Sequence, residues 1–230
     1  MALQQGIKVA VDAVVFGYES KGNLSVLLIQ RGIEPFKNTW ALPGGLVLEQ
    51  ESLEAAVKRE LKEETGVTID YLEQLYTFGN PKRDPRNRVV SVSYFGLVRP
   101  NHFKIKADTD ADEAKWFPVN DLPKLAFDHT TIFNTAEKRL KGKLLYQPIG
   151  FDLLSAEFPF SDLEHLYATI LGQDIDRRNF RKKIMSFGFL EDTNKIQHVG
   201  SGRPAKLFKF NKQKYDALLD DGFYFDIKFV

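Results

Sequence analysis

At 230 residues, with 43% hydrophobic and 27% charged, the chain is globular in composition and long enough for one large or two ordinary domains, which excludes a disordered or fibrous protein. It has no cysteine, so disulfides, thiolate zinc sites and cysteine nucleophiles are excluded together. The net charge of +1 hides an asymmetry: from Arg177 to Lys214 eleven Lys or Arg face two carboxylates, a local +9, which leaves −8 for the remainder. A basic block on an acidic body points to two modules with different partners. No apolar run approaches the roughly 18 residues of a membrane span, and the N-terminus lacks the basic-then-apolar order of a signal sequence, so a cytoplasmic protein with no membrane partner is expected.

In chain order, residues 7–18 alternate Val9, Val11 and Val14 with small or polar residues, and 24–31 is rich in Val, Leu and Ile. Both read as strands, joined by a turn at 19–23. Trp40 is placed either to stack on a base or to fill the core. The stretch from Gly45 to Val67 then carries the densest regular set of carboxylates in the chain. Ser52 is suited to cap a helix there and Gly66 to end it. At about 100° per residue, Glu60, Glu63 and Glu64 fall within an arc of roughly 100°, beside a buried stripe of Leu53, Val57 and Leu61. Three such charges repel one another, and they sit at the helix end that disfavours negative charge. A hard divalent cation, Mg²⁺ or Mn²⁺, is the natural partner. Arg59 can pair Glu63 at i, i+4 and steady it, with Glu51 in support.

Residues 67–78 read as a strand, followed by a loop at 79–88 with four basic residues and two prolines. That loop either holds its side chains ready for an anion or is a charged hairpin facing solvent. Strands are expected at 89–98 and 114–119, and a helix at 125–144 with Ile132, Ala136 and Leu140 on one face. Strands interleaved with two helices make residues 1–145 an α+β sandwich; 146–157 reads as a linker and 158–230 as a second domain. There a helix at 158–172, capped by Ser161 and closed by Gly172, precedes one at 177–187 capped by Asp176. Phe180, Ile184 and Phe187 face inward, while Arg177, Arg178, Arg181 and Lys182 stay outside. A short strand at 189–190, a glycine-rich turn at 200–205 and a strand at 207–210 complete the order of a winged helix-turn-helix. The outward arginines, with Asn179 and Lys206, can contact DNA phosphates or guanine edges, and Arg203 on its tight hairpin suits the minor groove. The same basic surface also fits a dimerisation or packing module.

Gly45, Glu51, Arg59, Glu60, Leu61, Glu63, Glu64, Gly66 and Val67 occupy every fixed position of the Nudix box, and the segment resembles that family. The resemblance implies an α/β/α sandwich with a mixed sheet that hydrolyses a nucleoside diphosphate linked to another group. It also implies that Glu60, Glu63 and Glu64 bind metal and help activate water, with a carbonyl near Gly45 completing the coordination. Arg31 becomes either a phosphate contact or an ordinary surface arginine, and Arg83, Asp84 and Arg86 resemble the loop that recognises ADP-ribose. Ala126-Phe-Asp-His129, Arg178-Asn-Phe-Arg-Lys-Lys183 and Gly202-Arg-Pro-Ala205 extend the similarity over nearly the whole chain, to the Nudix-related transcriptional regulators of NAD metabolism. His129 in this resemblance either approaches the ligand or is a buried or capping residue. Many such regulators have degraded boxes, whereas this one is intact. The resemblance therefore implies a homodimer that hydrolyses ADP-ribose, or a similar nucleoside diphosphate sugar, to AMP and ribose 5-phosphate. It would also bind double-stranded operator DNA as a regulator of NAD or sugar metabolism. The alternative is a housekeeping nucleoside-diphosphate-sugar hydrolase whose winged helix only dimerises or packs.

Overall fold

The computed structural model describes residues 6–19, 22–69, 72–103, 105, 111–198 and 204–227. The chain divides into two compact units, one holding most residues up to Arg139 and the other the residues from Leu140 onward.

The first unit is built on a seven-stranded mixed sheet. Its centre is β1 (Lys8–Tyr18), which pairs antiparallel with β2 (Leu24–Arg31) through Phe16↔Val26 at one end. Beyond β3 (Trp40–Ala41), which lies on β2, comes β4 (Gly44–Leu46), paired with the other end of β1 at Ala10↔Leu46. Helix α1 (Leu53–Thr65) follows, then β5 (Leu72–Phe78) and β6 (Val89–Val98), which runs parallel to β1 and antiparallel to β5. β7 (Ala111–Pro118) closes the far edge on β2, and α2 (His129–Tyr146) begins in this unit, its residues from Leu140 belonging to the second. Alternation along β1 decides what each face meets. Val11, Ala13 and Val15 join Ala56, Val57 and Leu61 of α1 in one core, while Phe16 on the other face meets Phe133 of α2 at 6.0 Å between ring centroids. The result is the expected α/β/α sandwich, with Asp12 left on the α2 face in the middle of an apolar strand.

The caps of α1 are those read from the sequence. Ser52 accepts from Ala55 N, and Gly66 takes the left-handed conformation at φ 71°. Other boundaries differ. The strand expected from Val67 begins at Leu72; Val67 and Ile69 are buried against α1 instead. β7 starts at Ala111, ahead of the expected 114. The helix expected from Leu125 begins at His129, because Leu125 bridges to Trp40, Ala126 N donates to Trp40 O at 2.8 Å, and Phe127 has φ 52°.

In the second unit β8 (Phe158–Pro159) leads into α3 (Phe160–Leu171), followed by α4 (Arg177–Ser186), β9 (Leu190–Gln197), β10 (Ala205–Phe210) and α5 (Lys212–Asp220). The sheet order is β8-β10-β9, all antiparallel. Ser161 is inside α3 and does not cap it; Phe158 and Pro159 pair with β10, so the helix starts after Pro159. Asp176 does cap α4, accepting from Asn179 N at 3.0 Å. The first wing strand is longer than its apolar residues suggested: β9 runs to Gln197 with mostly exposed, polar side chains, as a one-sided antiparallel ribbon permits. Residues 149–153, read as linker, form a 3-10 turn with Phe151 and Leu153 buried, and Phe151 stacks on Phe210 at 4.5 Å. Helix α5, capped by Asn211, has no counterpart in the sequence reading.

Candidate functional site

A cavity of about 660 Å³ opens in the first unit, lined by Glu60, Glu63 and Glu64 of α1 together with Arg31, Arg83 and Arg86. Two glycines let the carboxylates come close to β4. A Cβ on Gly44 would lie 2.9 Å from Asp12 Cα, and one on Gly45 would lie 2.6 Å from Glu60 Cδ. The Gly44 N–H donates to Glu64 Oε2 at 2.8 Å. Glu64 is only 6% exposed, and burial, aided by the nearby charges of Glu60 and Asp12, pushes its pKa up to about 8 despite that hydrogen bond. Burial also raises the Glu60 pKa, against the pull of Arg59.

Arg59 organises the rest of the box. Its Nε and Nη2 donate to the two oxygens of Glu51 at 3.0 and 2.6 Å, and its Nη1 donates to Glu60 at 2.8 Å and Glu63 at 3.2 Å. Nη2 also reaches Leu46 O. The hydrogen bonds from Arg59, with one from Leu48 N, hold the Glu51 pKa down to about 2. Glu51 does not line the cavity; it acts through Arg59. Among the described residues no three Asp, Glu or His side chains stand in ion-binding geometry, and Glu63 pairs with Arg59. The donor set is nevertheless all hard oxygen, and the charge of Glu60 disfavours the charged form of buried Glu64, a repulsion that a bound cation would relieve. These residues fit a divalent cation.

Most of the loop after β5 faces solvent, but Arg83 within it does not. Arg83 is buried, donating through Nε and Nη2 to Asp128 at 3.0 and 2.8 Å and through Nη2 to Asp12 at 3.2 Å. Ser91 Oγ also donates to Asp12. Arg86 grips Asp84 through two hydrogen bonds, which lower the Asp84 pKa. His129 is buried: Nδ1 accepts from Leu42 N at 2.9 Å, and Nε2 lies 3.5 Å from Asp12 Oδ1. Burial lowers its pKa, so it is neutral, with the proton on Nε2. It still lines the cavity. Trp40 does not; it packs edge-on against Phe117 at 4.6 Å.

On the second unit Arg177, Arg178, Arg181 and Lys182 are exposed along α4. Arg181 lays its guanidinium over Phe160 at 4.4 Å, Asn179 is engaged with its own cap at Asp176, and Lys206 pairs with Asp192 at 2.8 Å. Arg203 lies outside the described residues.

Residues 6–135 match the NUDIX domain family, and residues 150–210 match the NrtR DNA-binding winged helix domain. The ADPR responsive transcriptional repressor NtrR of Acinetobacter baylyi is 37% identical over 210 residues, covering 90% of this chain and 83% of that protein. The chain is a Nudix protein of the NrtR family. Its fold is similar to the crystal structure of Shewanella oneidensis NrtR complexed with a 27mer DNA, with a TM-score of 0.76, 34% identity, and coverage of 96% of this chain and 99% of that one. Its Nudix part is also similar to the ADP-ribose pyrophosphatase of Methanocaldococcus jannaschii, 45% identical over 124 residues, or 54% of this chain and 69% of that protein. In this NrtR-family chain the sequence reading missed Asp12, Asp128, Ser91 and Phe127. One signal was present: Asp12 sits inside an apolar strand, where a carboxylate has to find a cationic or hydrogen-bonding partner.

Proposed function

We propose that the first unit binds ADP-ribose and hydrolyses it to AMP and ribose 5-phosphate with Mg²⁺ or Mn²⁺. The second unit, through α4 and the wing, binds operator DNA as a ligand-responsive transcriptional regulator of NAD or sugar metabolism. The observation that carries the reading is one cavity lined by the three carboxylates of an intact box and by Arg31, Arg83 and Arg86. The relatives' names, an ADPR responsive repressor and an ADP-ribose pyrophosphatase, support both halves.

Glu60, Glu63, Glu64 and the backbone at Gly45 would hold the cation. It would offset phosphate charge and lower the pKa of a bound water. Arg59 keeps Glu60 and Glu63 oriented, and Glu51 fixes Arg59. Arg31 and Arg86 would contact the diphosphate. Arg83 and His129 hold the wall of the cavity through Asp12 and Asp128. Arg177, Arg178 and Lys182 would contact DNA, with Arg181, Asn179, Arg203 and Lys206 at the edges of that surface. In this reading 1–145 is the catalytic domain, 158–230 the DNA-binding domain and 146–157 their connection, and a homodimer would present two α4 helices to a palindromic site.

The test is turnover of ADP-ribose with Mg²⁺ or Mn²⁺, run beside operator binding with and without ADP-ribose. Cleavage together with an ADP-ribose-dependent change in DNA affinity is expected. A protein that neither cleaves nor binds ADP-ribose would overturn the reading.

A further inference from the structure

Phe127 has no part in the reading above, yet its placement is the least ordinary in the cavity. Its backbone sits at φ 52°, a region that bulky residues rarely enter. Its neighbours hold it there: Ala126 N donates to Trp40 O, Asp128 accepts from Arg83, and His129 accepts from Leu42 N. A strained conformation kept by this many contacts directs attention to the side chain it presents.

The Phe127 ring lines the cavity. Arg31 Cζ lies 4.9 Å and Arg86 Cζ 5.7 Å from its centroid, and Phe36 packs edge-on at 4.8 Å. Each guanidinium has a second anchor. Arg31 Nε donates to Pro35 O at 3.0 Å, and Arg86 donates to the two oxygens of Asp84 at 3.1 and 2.8 Å. The two arginines come from segments far apart in the chain, and this ring is a surface they share. A planar guanidinium held between an aromatic face and a fixed acceptor has already lost the rotamer freedom that binding would otherwise remove.

We propose that Phe127 is a positioning residue: its ring holds Arg31 and Arg86 on the cavity wall as a two-guanidinium clamp for the pyrophosphate of a nucleoside diphosphate. The ligand class rests on the ADP-ribose reading; the clamp itself rests on the geometry of the free protein. A ring that instead stacks on the nucleobase gives different results below.

The experiment compares wild type, Phe127→Leu, which keeps an apolar side chain but loses the aromatic face, and Phe127→Tyr, which keeps that face. Arginine side-chain NMR of the ligand-free protein should show Arg31 and Arg86 protons shifted upfield by the ring in wild type and Phe127→Tyr, but not in Phe127→Leu. Absence of those shifts in wild type overturns the clamp, whatever the ligand. Calorimetry with ADP-ribose, AMP and inorganic pyrophosphate, each with divalent cations chelated so that ADP-ribose is not cleaved, provides the second arm. In Phe127→Leu, affinity for ADP-ribose and pyrophosphate should fall about threefold to thirtyfold, with kcat retained and Phe127→Tyr within about twofold of wild type. A loss confined to ADP-ribose and AMP overturns the proposal, because the ring would then be stacking on the base. Equal losses in both variants overturn it too, since the aromatic face would not matter. A wild type that binds none of the three probes counts against the proposed function alone, and the NMR arm still decides the clamp.

Discussion

Helices α1 and α4 each carry a cluster of charge, and they use it in opposite ways. Arg59 of α1 is bound to Glu51, Glu60, Glu63 and a backbone carbonyl at once. Its neighbour Glu64 is buried to 6% exposure. On α4, Arg178 and Lys182 are exposed and form no ion pair among the described residues. The difference teaches where each unit's sensitivity lies. Buried, mutually paired charge responds to pH and to removal of one partner, because the remaining partner is left desolvated. Exposed charge without an ion-pair partner responds to salt when it binds a polyanion, which brings its own counterions.

The sharpest way to break the comparison is Glu63→Gln/Glu64→Gln. It should lower ADP-ribose turnover by about a hundredfold to ten-thousandfold, measured as AMP release, while DNA affinity by fluorescence anisotropy stays as in wild type. A turnover loss matched by an equal loss of DNA affinity would mean that the two charge sets are not separate. Next comes Arg83→Ala, which strands Asp12 and Asp128 and should destabilise the first unit by about 3–5 kcal/mol, as read by chemical denaturation. On α4, Arg178→Ala/Lys182→Ala should leave turnover alone, weaken operator binding, and make the slope of log affinity against log salt shallower by about 2.

The smallest effect is one of pH. The Glu64 pKa is raised from 4.5 to about 8, so the folded state holds that proton more tightly than the unfolded chain does. Its contribution to stability is full below 4.5 and is lost as pH rises through about 8. With divalent cations chelated, the melting temperature should fall across that window. Added Mg²⁺ should bind more tightly as pH rises, because it displaces the proton. A melting temperature that rises steadily from 4.5 to 8 would show that another group dominates.

The box was legible in the sequence because its chemistry is local: cap, stripe, carboxylate spacing and terminal glycine all lie within one helix and its approaches. The α4 surface was legible for the same reason, since Asp176 and the inward Phe180 and Ile184 fix which side its arginines take. Arg83 was legible as a charged residue but not as a buried one. Its partners lie 71 and 45 positions away, and nothing in the loop announces them. Phe127 was hidden by a helix expected to begin four residues early, at Leu125, and His129 was legible as a candidate but its partners Leu42 and Asp12 were not. Helix α5 was missed because it has no fully buried residue and so a weak apolar stripe.

The sequence by itself determined the kind of chemistry, a carboxylate-rich helix framed by Gly45 and Gly66 and a separate basic helix, because residue type and short-range spacing suffice for both. Only the tertiary structure decided which charges meet. Parallel pairing of β1 with β6 sets Asp12 level with Ser93 and beside Ser91, and antiparallel pairing of β4 with β1 accompanies the approach of the Gly44 N–H to Glu64. The physical reason is that a buried charge is satisfied by whatever the fold places next to it, and strand register and helix docking bring together groups that sequence spacing cannot relate.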